Sequence, residues 1–285
     1  MLQNSPSLSA IAELMDELRA YAGQNIVIKI GGNSIAEDAD FLSGIARQLE
    51  FLHSRHVCIV LVHGGGPQID HALLEAGIKP VKGPDGRRIT DPATMAVVAR
   101  TMAAISGTVT LALAQEGCAV YAAAADQACF VTAEPLRSDA QDRTARPAAV
   151  DRDGLLAKLR QGRVVVLNSV GRGTDGLDYN INADDYAMAV AVALGARRLI
   201  LATNVNGVYD KDKKPISLLT PVMARDLMAS GVIAGGMIPK VESALNALQS
   251  GVGGVAIIDA HQNWSLLGEL LTQKGFGTLI TARGD

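Results

Sequence analysis

What is scarce in this 285-residue sequence narrows its role before any motif is considered. Aromatic residues are only 4% of the chain, which leaves no obvious aromatic cage for a cationic ligand. Basic residues form no long run and the net charge is −3, so the electrostatic footprint of a protein built to hold nucleic-acid phosphates is missing. Cysteine occurs three times, as Cys58, Cys118 and Cys129, at spacings that give neither a C-x-x-C pair nor a zinc pattern. These read as buried thiols of a reducing cytoplasm. The first eighteen residues hold no Lys or Arg, and Glu13, Asp16 and Glu17 interrupt the apolar positions, so no signal peptide is expected. No unbroken apolar run of the roughly 20 residues that span a membrane is expected either.

Against these absences stand 48% hydrophobic residues and 29 glycines. Ala, Val, Leu, Ile and Gly suit helices packed on buried strands, which favours an α/β fold over an all-β, disordered or collagen-like chain. The length suffices for one large unit or two lobes of roughly 100–200 residues each, and a small molecule is the expected partner. Short runs rich in Val and Ile at 26–30, 57–62, 164–167, 199–203 and 255–258 predict buried strands. Helices are predicted between them near 38–53, 67–77, 92–116, 182–194 and 237–250, the alternation of a largely parallel sheet. Ahead of the first strand, Leu8, Ile11, Leu14, Met15 and Leu18 fall at helical spacing, with Ser7 or Ser9 as a cap, giving an N-terminal helix over 7–22. Two stretches break the rhythm: 79–91, with the turn signal Pro84-Asp85-Gly86, and the polar 134–147. Both are expected to leave the sheet and to serve as a lid or an oligomer contact.

Three glycine clusters sit where strands end or helices begin: Lys29-Ile30-Gly31-Gly32-Asn33, His63-Gly64-Gly65-Gly66-Pro67 and Gly235-Gly236-Met237-Ile238-Pro239-Lys240. Removing Cβ lets backbone N–H groups approach phosphate or carboxylate oxygens, and the ends of parallel strands are where open α/β sheets bind ligands. Any one cluster alone reads more readily as a tight turn. Three together, two of them carrying a lysine, point to phosphate chemistry. No G-x-x-x-x-G-K-[ST] occurs, so a Walker-type site is not expected. Residues 171–176 match G-x-G-x-x-G, but no helix is expected before Asn182, and Asp175-Gly176 reads as a hairpin turn. Asn182, Asp184 and Asp185 fit helix capping, and Asp184 also suits the counter-charge that two loop lysines require.

Taken in order, these motifs resemble the amino acid kinase family. The resemblance runs from the N-terminal helix and Ile26-Val27-Ile28-Lys29-Ile30-Gly31-Gly32-Asn33 through His63-Gly64-Gly65-Gly66-Pro67-Gln68 and Arg88-Ile89-Thr90-Asp91. It continues through Tyr179-Asn180-Ile181-Asn182-Ala183-Asp184 and the third glycine cluster to Gly275-Phe276-Gly277-Thr278. It implies a three-layer αβα sandwich with a largely parallel central sheet. An N-terminal lobe over 1–178 is implied to hold an acidic amino acid, and a C-terminal lobe over 179–285 to hold magnesium ATP. The implied reaction transfers the γ-phosphoryl group of ATP to the side-chain carboxylate of N-acetyl-L-glutamate, in arginine biosynthesis. By the resemblance, Lys29 and Lys240 stabilise the transition state and Asp184 orients them. Gly31 and Gly32 cradle the phosphoryl oxygens, and Gly65, Gly66, Arg88 and Asn180 bind the acceptor. Thr203, Asn204, Tyr209, Gly235, Gly236 and Met237 fall to ATP, with Mg2+ carried by the nucleotide and no metal ligand from the protein. A carboxylate nucleophile is ionised near pH 7 and needs no general base; it needs charge neutralisation and in-line geometry.

Some positions depart from the family's pattern. Ala122-Ala123-Ala124-Ala125-Asp126-Gln127 stands where the family has Ser-Gly-Lys-Asp character, and Ile105-Ser106-Gly107-Thr108 replaces a segment with lysines and an asparagine. Both are expected to remove polar groups near the acceptor pocket. Asn204 stands where an acidic residue is common. The N-terminal helix resembles that of hexameric, arginine-inhibited members, which implies a homo-oligomer, dimer or hexamer. Lys274 replaces an acidic residue there, and a cation repels an arginine effector. Two alternatives stay open: a paralogue phosphorylating a related N-acylated acidic amino acid in secondary metabolism, and a non-catalytic regulatory subunit.

Overall fold

The computed structural model describes residues 8–37, 40–272 and 275–282. Helix α1 (Leu8–Tyr21) leads into β1 (Asn25–Ile30), and α2 (Gly32–Glu37) with α3 (Phe41–His53) returns the chain to β2 (Cys58–His63). Then α4 (Gly66–Glu75) and the long α5 (Pro92–Gln115) precede β3 (Val120–Ala122). The chain departs into β4 (Val131–Pro135) and β5 (Thr144–Val150), returns through α6 (Arg152–Arg160) to β6 (Val164–Asn168), and departs again into β7 (Val170–Gly173) and β8 (Asp178–Ile181). Helix α7 (Ala183–Leu194) leads to β9 (Arg198–Thr203). The short strands β10 (Val208–Tyr209), β11 (Pro215–Ile216) and β12 (Leu218–Leu219) precede α8 (Pro221–Ala229) and α9 (Met237–Gln249). The described chain closes with β13 (Val255–Asp259), α10 (Ser265–Leu271) and β14 (Gly277–Ile280).

Eight strands form one sheet in the order β12-β14-β13-β9-β1-β2-β6-β3, parallel throughout except where β13 meets β14. The apolar runs have two sides because side chains alternate along a strand. Ile26, Ile28, Ile59, Leu61, Val166, Ile200 and Ile258 pack with α3, α4, α5 and α10 on one face. Val27, Val60, Val62, Val165, Leu199, Leu201 and Ile257 pack with α6, α7 and α9 on the other. Helices on both faces bury the parallel strands, which is why those strands read as unbroken apolar runs. The result is an αβα sandwich.

The polar excursion at 134–147 leaves the sheet as expected, yet much of it is paired strand. Its ends lie in β4 and β5, which with β7 and β8 close a four-stranded barrel; Glu134 and Arg146 pair across β4 and β5 at 2.9 Å. Asp175 and Gly176 make the β7–β8 turn, with Gly176 at φ +79°, and Gly173 has the Tyr179 ring where a Cβ would stand. The glycines at 171–176 therefore serve barrel packing. Strand β8, which opens at the proposed lobe boundary, pairs with β5 and β7.

Helix α5 is the longest largely apolar segment among the described helices; its 24 residues have the length and composition of a membrane span, but Arg100 and several hydroxyl residues interrupt the apolar run as expected. Here it packs Val98, Met102, Val109 and Leu113 into the core. The apolar stripe of α1 faces outward, with Ile11, Leu14 and Met15 at 43, 38 and 48% exposure, while Tyr21 is buried beneath the Arg197 guanidinium. The Ser7 cap and Lys274 lie outside the described residues. All three cysteines are unpaired; Cys118 is buried, Cys58 and Cys129 are half-buried, and burial pushes each thiol up, that of Cys118 to about 11.

Candidate active site

The C-terminal ends of β1, β2 and β9 lie side by side in the middle of the sheet, and a cavity of about 570 Å³ opens over them. The first two glycine loops meet there. Gly64 N donates to Ile30 O at 3.0 Å, and Gln68 Nε2 donates to Gly32 O at 2.8 Å, which ties one loop to the other. A Cβ on Gly32 would stand 2.8 Å from Gly65 Cα and 2.9 Å from Gly66 N, so the two backbones approach as closely as glycine allows. A Cβ on Gly31 would meet nothing within 4 Å and lies open to the cavity. Gly65 caps α4, whose N-terminal turn therefore faces the cavity with the partial positive charge of its free amides.

Lys29 lies on β1, Asp184 in the first turn of α7 and Lys240 in the first turn of α9. Asp184 reaches that place because Asn182 caps α7, accepting from the amides of Asp184 at 2.8 Å and Asp185 at 3.3 Å. Its two carboxylate oxygens then face different lysines: Oδ1 pairs with Lys29 Nζ at 2.8 Å and Oδ2 accepts from Lys240 Nζ at 2.9 Å. Burial alone raises the Asp184 carboxyl, but the charges of Lys29 and Lys240 and their hydrogen bonds outweigh it and hold the pKa at about 2. Two ammonium groups are thus held by one anion at the cavity wall.

Arg88 and Asn180 line the same cavity from the loop at 79–91 and from β8. The Arg88 side chain is 8% exposed; it pairs with Asp70 at 2.5 Å and donates to Gly66 O at 3.3 Å. Thr90 and Thr144 hold the Arg88 carbonyl at 3.0 and 2.6 Å, and Asn180 Nδ2 donates to Thr90 Oγ1 at 3.1 Å. Behind them, buried Asp142 accepts from the amides of Thr90 and Thr144 and from Arg137 at 2.6 Å. Burial pushes its carboxyl up, yet these hydrogen bonds, with that of the Thr144 hydroxyl, keep it below the ordinary value. Asp70, Arg137 and Asp142 escaped the sequence reading. Asp70 carries a faint signal, four residues beyond Gly66 on the exposed side of a helix start. Asp142 carries none, because its role appears only when Thr90, 52 positions away, is brought beside its near neighbours Arg137 and Thr144.

Thr203, Asn204, Gly236 and Met237 line the opposite wall, and a second cavity of about 340 Å³ continues beyond Arg88. Gly235, at φ +55°, and Tyr209, 41% exposed on β10, do not line the central cavity. The departures divide: apolar Ile105 packs directly behind Gly65 of the acceptor loop, whereas the Ala122–Ala125 stretch does not border the central cavity. Ser106, Gly107, Ala122, Ala124 and Ala125 line a separate, mainly apolar recess of about 470 Å³, because β3 is the edge strand of the sheet. One link reaches inward: buried His63, at the end of β2, has Nε2 2.7 Å from Ser106 Oγ.

The fold and this arrangement define a class. The model of the amino acid kinase family matches residues 24–259, and the chain belongs to that family. Among curated proteins, it is 35% identical to the acetylglutamate kinase of Prochlorococcus marinus over 99% of this chain and 93% of that one. It is 38% identical to the acetylglutamate kinase of Paraburkholderia phymatum over 98% and 96%. Its fold matches N-acetylglutamate synthase from Neisseria gonorrhoeae, solved with coenzyme A and N-acetyl-glutamate, at a TM-score of 0.86 and 24% identity. The match covers 99% of this chain, which spans 65% of the synthase.

Proposed function

We propose that this chain catalyses ATP-dependent phosphorylation of the side-chain carboxylate of N-acetyl-L-glutamate, giving an acyl phosphate and ADP in arginine biosynthesis. The observation that carries the reading is the Lys29–Asp184–Lys240 arrangement, with both lysines within 2.9 Å of one carboxylate at the wall shared by the two glycine loops. In the proposed step, a carboxylate oxygen of the acceptor attacks the γ-phosphorus, the bond to the β,γ-bridging oxygen breaks, and ADP leaves with that electron pair. No proton needs to move. The barrier is the meeting of two anions, and Lys29 and Lys240 lower it by neutralising charge on the transferring group. Gly31 and Gly32 cradle its oxygens. Gly65, Gly66, Asn180 and Arg88 hold the acceptor, Arg88 through the planar fork that suits a carboxylate.

Thr203, Asn204, Gly236 and Met237 are assigned to ATP, with Gly235 and Tyr209 as the outer margin of that half. Asp184 already gives both oxygens to lysines, and among the described residues no group of three His, Cys, Asp or Glu is placed to hold a metal ion. Mg2+ is therefore proposed to enter on the ATP phosphates. The N-terminal lobe, together with β8 that pairs into its barrel and carries Asn180, serves the acceptor, and the remainder of the C-terminal lobe serves the nucleotide. The outward stripe of Ile11, Leu14 and Met15 supports a homo-oligomer built through α1. Unpaired thiols fit a cytoplasmic site of action.

The Ala122–Gln127 departure that suggested a paralogue does not border the central cavity, which favours the ordinary acceptor. Hydroxylamine trapping with N-acetylglutamate, N-acetylaspartate, N-acetylaminoadipate and free glutamate tests this. The most hydroxamate is expected from N-acetylglutamate. A protein that binds ATP but yields hydroxamate with none of the four overturns the reading.

A further inference from the structure

Residues 79–91 carry Arg88 on a short turn held by a bridge between Lys82 and Arg88 and by the Gly83 and Ile89 amides, which donate to Arg87 O and Val81 O at 2.8 and 2.9 Å. Most of their polar ties run to the barrel side: Arg137 to Asp85 at 2.9 Å, the Arg143 amide to Thr90 O, and Asn180 to Thr90. Arg88 itself reaches Asp70 and Gly66 on α4, and one further tie runs to α7. Arg87 Nη2 donates to Asp185 Oδ2 at 2.6 Å, across 98 positions, with the two side chains 33% and 20% exposed. Among the described residues it is the one hydrogen-bonded or ionic link from this loop to α7.

The neighbours of this pair give it its meaning. Successive side chains of an extended segment point to opposite sides. Arg88 turns in to the cavity wall while Arg87 turns out to α7. Successive residues of a helix point about 100° apart, so Asp184 meets the lysines while Asp185 meets Arg87. We propose that the Arg87–Asp185 pair is a latch that fixes the acceptor-gripping loop to the helix bearing the lysine-holding carboxylate. Arg87 and Asp185 are then positioning residues for phosphoryl transfer. The inference rests on the acceptor reading above for its effect on catalysis.

The latch also keeps Asp185 occupied. A side cavity of about 310 Å³ is lined by Arg87, Asp184, Asp185 and Lys240 together, so an Asp185 released from Arg87 has a lysine of the catalytic set across a shared space. Loss of the arginine therefore loosens the acceptor loop and leaves a competing carboxylate behind. Loss of the carboxylate only loosens the loop.

The test uses the full chain with Arg87→Met, Asp185→Asn and the double variant. For Arg87→Met, kcat/KM for the acceptor is expected to fall about tenfold, a change of about 1.4 kcal/mol. The KM for ATP is expected to stay within about twofold, since the nucleotide wall is not attached to the loop. Asp185→Asn is expected to cost less than Arg87→Met, and the double variant to be no worse than Arg87→Met alone. In ligand-free protein, the amides of 79–91 are expected to exchange faster in both single variants. Multiplying effects of the two substitutions, an equal rise in the KM for ATP, or unchanged amide exchange overturns the latch. If the wild-type chain phosphorylates no acceptor, the acceptor reading fails, while the exchange measurement still decides the latch.

Discussion

Asp184 stays ionised between two lysines because their charges outweigh the burial that opposes it. Its carboxyl pKa, held at about 2, lies below the ordinary value of the unfolded chain. Its contribution to stability is therefore complete above the ordinary carboxylate range and fades as pH falls towards 2. Lys29→Ala leaves Asp184 paired with Lys240, so turnover is expected to fall roughly 10²–10³-fold while the fold persists, checked by steady-state rates and circular dichroism. Asp184→Ala leaves two ammonium groups facing one another and is expected to lower both turnover and Tm. His63 shows the opposite ionisation. Burial lowers its pKa to about 4, despite the Gly64 carbonyl beside it. Between the ordinary value of 6.5 and 4 the unfolded chain binds the extra proton, so stability is full above that range and drops as pH falls through it. The loss is on the order of 3 kcal/mol. Urea unfolding at pH 7 and pH 4.5 checks this: His63→Asn is expected to show a shallower loss than the wild type.

The five apolar runs and their intervening helices were legible because each strand is buried on both faces and each helix carries a repeating apolar side. The glycine loops were legible because two backbones cannot approach closely with a Cβ between them. Gly32 and Gly31 separate that packing role from the site itself. Gly32→Ala sets a methyl against the backbone of Gly65 and Gly66 and is expected to lower Tm by several degrees. Gly31→Ala meets no atom, so it is expected to keep Tm and to raise the KM of a substrate that reaches the cavity floor. The barrel was harder to read. Its four strands are short, Pro135 and Pro147 interrupt two of them, and their alternation is broken by a register shift near Thr132. Asp142 was hidden too, since it matters only once the fold sets the distant Thr90 amide beside it and its near neighbours Arg137 and Thr144.

Only the assembled molecule explains why polar drift at Ala122–Gln127 leaves the pocket untouched: strand order, not sequence distance, sets what neighbours the cavity, and β3 lies at the sheet edge. The outward face of α1 belongs to the same level. Replacing Ile11 and Met15 together by serine is expected to lower the oligomer size seen by sedimentation while leaving the folded core intact, because neither side chain is buried in the single chain. The central claim is that an acceptor carboxylate oxygen takes the phosphoryl group. N-acetylglutamate labelled with ¹⁸O in its side-chain carboxylate tests it most directly, with the acyl phosphate cleaved by hydroxylamine and the released phosphate examined by ³¹P NMR. Attack by the carboxylate predicts inorganic phosphate bearing one ¹⁸O, the former bridge between carbon and phosphorus. Phosphate free of the label contradicts it, since phosphorus would then have been transferred to water or to another group.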